Sequence, residues 1–152
     1  MIGRAAGAAI GELFEGKARR LTWARALALS GGPFDAAGWP EKNLHTDLAA
    51  ANAAGLSDVV VSGTQWEGYL VGLMVELFGS EWFGGGSLDI KIPRSVKIGE
   101  VIQPKARLQA RTPEADGTQV DLEVWCENEA GQQVLVGTAS CSMRTQARDQ
   151  RA

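Results

Sequence analysis

The segment from Thr64 to Phe78 constrains the fold more than any other part of the chain. It carries Trp66, Tyr69, Leu70, Leu73, Met74, Val75, Leu77 and Phe78, too many apolar residues for one stripe, so a helix here must be buried on nearly every side. Gly68 and Gly72 lie four apart on one face, where their propensity cost is acceptable if a sheet or a partner comes close. The longest apolar run, Leu70 to Leu77, contains Glu76 and falls far short of the roughly 20 residues a membrane span needs. The helix is therefore expected inside a soluble domain.

After Gly84 the period changes to two. Leu88, Ile90 and Ile92 alternate with Asp89 and Lys91, and Ile102 to Arg111 alternates apolar with polar throughout, which is the mark of strands with one wet face. Val120, Leu122, Val124 and Cys126 continue the pattern, as do Leu135, Gly137, Ala139, Cys141 and Met143. Asp116-Gly117 and Ala130-Gly131 read as hairpin turns. Upstream, Phe14 to Leu21 reads as a first strand. Thr22 can cap a helix to about Ser30, and Asp47 a helix from Leu48 to Ala54 closed by Gly55. The class is α+β: a curved antiparallel sheet wrapped around a buried central helix. The helix is too apolar for one thin sheet to cover, so a second copy or a partner is expected over the remainder. The 152 residues make one domain, with 1–11 a loose N-terminal arm and 145–152 a fraying tail.

Fifteen Lys and Arg against eighteen Asp and Glu give a net charge of −3, which argues against a nucleic-acid partner. Glu12 interrupts the first residues before a secretory core can build. Cys126 should lie opposite a residue near Val134, about seven residues out of register with Cys141, or very roughly 20 Å, too far for a disulfide. Free thiols suggest a reducing compartment, most simply the cytoplasm. No Gly-rich phosphate loop, Cys-x-x-Cys pair or His cluster is present, so no cofactor and no metal are expected.

The stretch that bears on chemistry is Asn43-Leu44-His45-Thr46-Asp47, followed by Ala54-Gly55-Leu56 and by Val59-Val60-Val61-Ser62-Gly63-Thr64 at the start of the central helix. It resembles the MaoC-like (R)-specific enoyl-CoA hydratases, whose signature places His-x-Asp before a short helix and a strand running into His-Gly. Val96-Lys97-Ile98-Gly99-Glu100 looks like that family's Val-x-x-Gly-Asp bend. The resemblance covers Phe14 to Met143 and implies a hotdog fold, a homodimer or higher homo-oligomer, and a 2-enoyl-CoA/3-hydroxyacyl-CoA substrate in which coenzyme A is part of the substrate. On it, His45 matches the catalytic histidine, and Gly63 the glycine whose N–H polarises the thioester carbonyl. A helix N-terminus offers unpaired N–H groups where an enolate oxygen develops, and an imidazole shuttles protons near neutrality.

Two positions depart from the family. Pro40 stands where the family keeps an Asp, five residues before the histidine. The loop from Gly31 to Asn43 is long enough to return Asp35 to the site, with Glu41 a weaker candidate; Phe34 beside Asp35 could anchor the loop and partly desolvate the carboxylate. Ser62 stands in place of the His of His-Gly, and its hydroxyl can still meet a carbonyl or water. Phe34, Trp39 and Trp66 are expected to shape the acyl pocket. Arg94, with Lys91 and Lys97, could meet coenzyme A phosphates. Asp47 reads as an N-cap, and the cysteines as core filler. Two rival readings exist: a thioesterase using Glu67 on the central helix, or a non-catalytic subunit that binds acyl-CoA or supports a partner.

Overall fold

The computed structural model describes residues 4–144. Its strands are β1 (Leu13–Glu15), β2 (Arg19–Arg20), β3 (Gly86–Lys91), β4 (Val101–Glu114), β5 (Gly117–Asn128) and β6 (Gln133–Arg144); its helices are α1 (Trp23–Ser30), α2 (Leu48–Ala53), α3 (Gly63–Phe78) and α4 (Glu81–Gly85). The sheet has six strands, antiparallel in the order β1-β4-β5-β6-β3, with β2 also paired to β4.

Alternation decides which residues meet α3. Ile102, Ala106 and Leu108 of β4, Val120, Leu122, Val124 and Cys126 of β5, and Leu135, Ala139 and Cys141 of β6 are all buried in one cluster with Trp66, Leu70, Leu73, Met74, Leu77 and Phe78 of α3. The β4–β5 register shifts between Leu108 and Ala110, and the β5–β6 register between Cys126 and Glu127. Such irregularities increase local twist and help the sheet curve round the helix. Asn128 organises the second hairpin: its Oδ1 accepts from Ala130 N at 3.1 Å and Gln132 N at 3.0 Å, while Gly131 adopts a φ of 72°. Only a residue without Cβ takes that conformation cheaply.

The two caps form as their side chains dictate. Thr22 Oγ1 accepts from Arg25 N at 3.4 Å and Asp47 Oδ1 from Ala50 N at 2.9 Å; Gly55, at φ 82°, lies just beyond α2.

Three expectations need correction. Helix α3 is not buried all round: Thr64, Gly68, Gly72 and Glu76 are exposed. A Cβ built on either of those glycines meets nothing within 4 Å, so the glycine stripe borders open space rather than a close neighbour. The segment Phe14 to Leu21 is two short strands, because the chain leaves the ladder at Gly16, whose Cα lies so near Pro104 that a Cβ would come within 2.7 Å of its ring. The arm is docked from Arg4 on: Arg4–Gly7 forms a 3-10 turn with Ala5 fully buried, and Arg111 donates to the carbonyls of Ala5 and Ala6. The expected register of Cys126 holds, since it faces Leu135, next to Val134; it and Cys141 are free. The expected tail, 145–152, lies outside the described residues.

On the outer side of the sheet, Lys105 bridges β1 and β5, its Nζ 2.8 Å from Glu15 and 2.6 Å from Glu127. The hydrogen bond from Lys105 is the main cause holding the Glu127 carboxyl below its usual range, burial opposing it and Trp125 assisting. The same bond to Glu127, then that to Glu15, raises Lys105. A lowered carboxylate gives stability that is present above its unfolded pKa and lost as pH falls through the folded value; the raised lysine gives stability lost only in strong alkali. Glu127→Gln should therefore cost on the order of 1 kcal/mol near neutrality. That difference should close in thermal melts as the pH falls below the ordinary glutamate range. A constant difference through that fall would show that the pair does not stabilise the sheet through charge.

Candidate functional site

Helix α3 starts at Gly63 after Ser62, whose extended backbone supplies no side-chain cap. The Gly63 N–H, like every first N–H of a helix, has no partner within the helix, and none among the other described residues. Ser62 Oγ sits 2.9 Å from Thr64 Oγ1. Ile92 packs its side chain against Gly63 so closely that a Cβ there would strike its terminal methyl. The segment before the helix is anchored by Val61 N donating to Val96 O at 2.8 Å and by a bridge between Val60 and Lys97. Val96 is fully buried, and Gly99 at φ 94° makes the bend that follows.

His45 reaches the same segment. Its Nδ1 lies 2.8 Å from Val60 O, three residues before Gly63. A carbonyl oxygen only accepts, so Nδ1 carries a proton and Nε2 of the neutral ring presents its lone pair. The main chain at His45 is fixed by Asn43, whose Oδ1 accepts from His45 N at 2.9 Å and whose Nδ2 donates to Ser30 O at 2.7 Å. Thr46, the one buried polar residue among those described, donates from Oγ1 to Glu41 O at 2.5 Å and accepts from Asn43 N at 2.9 Å. Sequence reasoning did not single out Asn43 and Thr46. Their signal was the Asn-x-x-Thr spacing around the histidine, which suits side-chain-to-backbone turns.

The acid is not delivered in this chain. Asp35 is exposed and makes no hydrogen bond or ion pair among the described residues. The expected anchor fails too: Phe34 is 69% exposed, so it neither buries the loop nor desolvates its neighbour. It packs instead at a tilt against Trp39, centroids 5.1 Å apart and rings inclined by 39°, while Trp39 Nε1 donates to Gly32 O at 3.2 Å, tying the loop to itself. Glu41 is exposed, and Asp47 is occupied as the α2 cap.

Other assignments move. Trp66 is 1% exposed and faces the sheet, a core residue rather than a pocket wall. Arg94 and Lys91 are exposed; Lys97 pairs with Asp58 at 3.7 Å, so the basic edge is partly neutralised. Glu67 is half-buried beside Trp66 and has no hydrogen-bond partner among the described residues. Burial pushes the Cys126 thiol up to about 12; burial and then nearby Glu81 push Cys141 to about 11. Thiols so far from ionisation are poor nucleophiles and suit core packing. The described residues hold no group of three or more His, Cys, Asp or Glu able to bind a metal.

No family model and no curated protein matches the sequence. Solved structures do match the fold. A MaoC-like dehydratase from Rhodospirillum rubrum superposes with a TM-score of 0.73 at 21% identity, covering 92% of this chain and 96% of that one. The chain has the MaoC-like hotdog fold. The hotdog (R)-hydratase of A. caviae involved in PHA biosynthesis gives 0.68 at 17% identity, with 91% and 99% covered. A third chain, from the ChsH1-ChsH2 complex of Mycobacterium tuberculosis, gives 0.67 at 14% identity, with 90% and 98% covered. No helix among the described residues is long and apolar enough to cross a membrane.

Proposed function

We propose that this protein is an acyl-thioester hydratase or dehydratase acting on a 2-enoyl-CoA/3-hydroxyacyl-CoA pair. The observation that carries the reading is the hydrogen bond from His45 Nδ1 to Val60 O. It fixes the tautomer that leaves Nε2 basic, and it ties that ring to the short segment leading into the unpaired Gly63 N–H. A base is thus tied by one hydrogen bond to the stretch that ends in an oxyanion donor.

In the hydration direction, His45 Nε2 takes a proton from water as its oxygen bonds to C3 of the enoyl thioester. The C2–C3 double-bond electrons move toward the carbonyl, and the developing oxyanion is held by Gly63 N–H. Protonation at C2 by the imidazolium then restores the thioester and the neutral ring. In this reading the Ser62 hydroxyl would meet the water or the thioester oxygen. Coenzyme A enters only as part of the substrate, with Arg94 and Lys91 free to meet its phosphates. A homodimer fits the sheet: among the described residues β3 pairs with β6 alone and closes the strand order, leaving an edge on which a second copy could add its own strand.

The exposure of Asp35 favours a second reading, in which this chain holds the thioester and a partner subunit supplies the missing carboxylate. Hydrolysis through Glu67 has no comparable support. Incubating the protein with 2-enoyl-, 3-hydroxyacyl- and saturated acyl-CoAs under mass detection separates the three. Gain or loss of one water marks the hydratase, release of free coenzyme A marks the thioesterase, and retention of unchanged ligand marks the binding subunit.

A further inference from the structure

A cavity of about 570 Å³ opens between α1, the Gly16–Arg19 stretch and the outer face of α3, within the size range of small-molecule sites. The sequence offers no reason for glycine at 68 and 72 on helical grounds, since both positions have room for a side chain. Their effect is to leave a bare floor, flanked by the apolar Leu29, Leu73 and Pro104.

The other part of the lining is cationic. Lys17, Arg19 and Arg25 all border the cavity, and none has a carboxylate within 4.0 Å among the described residues. The two arginines gather near Tyr69: the Arg19 guanidinium lies 5.4 Å from the ring centroid, and Arg25 approaches the phenol oxygen at 3.5 Å. Gln65 Nε2 also donates to that oxygen, at 3.1 Å. With both neighbours donating to it, the Tyr69 hydroxyl keeps its own proton for another acceptor. Glu76 is the one carboxylate in the lining, and it lies seven residues further along α3, roughly 10 Å by helical rise.

We infer that this cavity binds an amphipathic anion, a linear aliphatic chain ending in a carboxylate. The chain lies along the Gly68–Gly72 floor, and the carboxylate meets the Tyr69 hydroxyl, Arg19 and Arg25. An anion relieves the unpaired cations, and a slim chain uses a floor without side chains. Binding here needs no turnover, so it stands or falls apart from the hydratase reading.

Calorimetric titration with octanoate, and with octan-1-ol as the uncharged control, tests the inference. One saturable octanoate per chain is expected, with octanol at least about 10-fold weaker. Arg19→Gln combined with Arg25→Gln should weaken octanoate by about 10-fold or more while leaving octanol unchanged. Gly72→Leu should abolish binding of both while raising the thermal midpoint, because it fills the floor and removes a helical glycine. Equal affinity for octanol and octanoate, several octanoates per chain, or unchanged binding by the double variant would each overturn the assignment. The double variant removes cations that lie outside the buried core and pair with no carboxylate among the described residues, so it remains decisive even if Gly72→Leu fails to fold.

Discussion

Replacing His45 by Ala should lower hydration of a 2-enoyl-CoA by about 10²-fold or more, the usual scale of a lost general acid–base group. Because His45 also donates from Nδ1 to Val60 O, the Ala variant leaves a carbonyl without its partner and should lose roughly 1 kcal/mol of stability. His45→Asn divides the two effects. Its side-chain amide can still donate to Val60 O but offers no basic nitrogen, so stability should recover while turnover stays as low as in the Ala variant. If His45→Asn regains activity to within a few fold of wild type, the ring serves to hold the Val60 segment and transfers no proton. Asp35→Asn provides the complement. With Asp35 exposed and unpaired, the change should leave turnover within a few fold, unless substrate or a second copy draws the loop inward.

The parts of the fold that were legible in the sequence are those governed by local physics. Thr22 and Asp47 announced α1 and α2 because a side-chain oxygen three residues ahead of a free N–H forms the same bond wherever the helix sits. Strands β4, β5 and β6 were legible because one face is wet and one dry, which writes period two into the residues. Helix α4 was missed: four of the five residues of Glu81–Gly85 are aromatic or glycine, with Phe83 exposed and Trp82 stacked 6.0 Å from Phe78. Its conformation follows from that tertiary contact rather than from propensity. The glycine stripe was read as a close packing surface because sequence shows that Gly68 and Gly72 share a face but not what faces them. The same limit governs the site. His45 lies three residues from the α2 start and hydrogen-bonds the segment that leads into Gly63, whereas Asp35 belongs to a loop shaped by the Phe34–Trp39 contact and the Trp39–Gly32 bond, neither of which any periodicity encodes.

Trp66 carries the largest stability effect expected in the molecule. It lies on the second turn of α3, 1% exposed, in the cluster shared with β4, β5 and β6, and its main-chain oxygen receives a contact from Cys126 Sγ at 3.7 Å. Trp66→Ala should cost about 3–5 kcal/mol, the transfer energy of the indole plus the cavity it leaves. That is a large share of the roughly 5–15 kcal/mol that holds a typical domain together. The indole is not an ideal occupant, because its Nε1–H is buried without an acceptor among the described residues, and such a donor costs about 1–3 kcal/mol. Trp66→Phe removes that donor along with part of the volume, so the two terms offset and the variant should remain within about 1.5 kcal/mol of wild type. Urea unfolding of the three proteins measures both differences at once. A Trp66→Ala protein that unfolds at the wild-type midpoint but binds acyl-CoA poorly would return Trp66 to the substrate pocket. A loss of stability in which Trp66→Phe stays near wild type fixes it as the apolar wedge that seats the start of α3, and with it the Gly63 N–H, against the sheet.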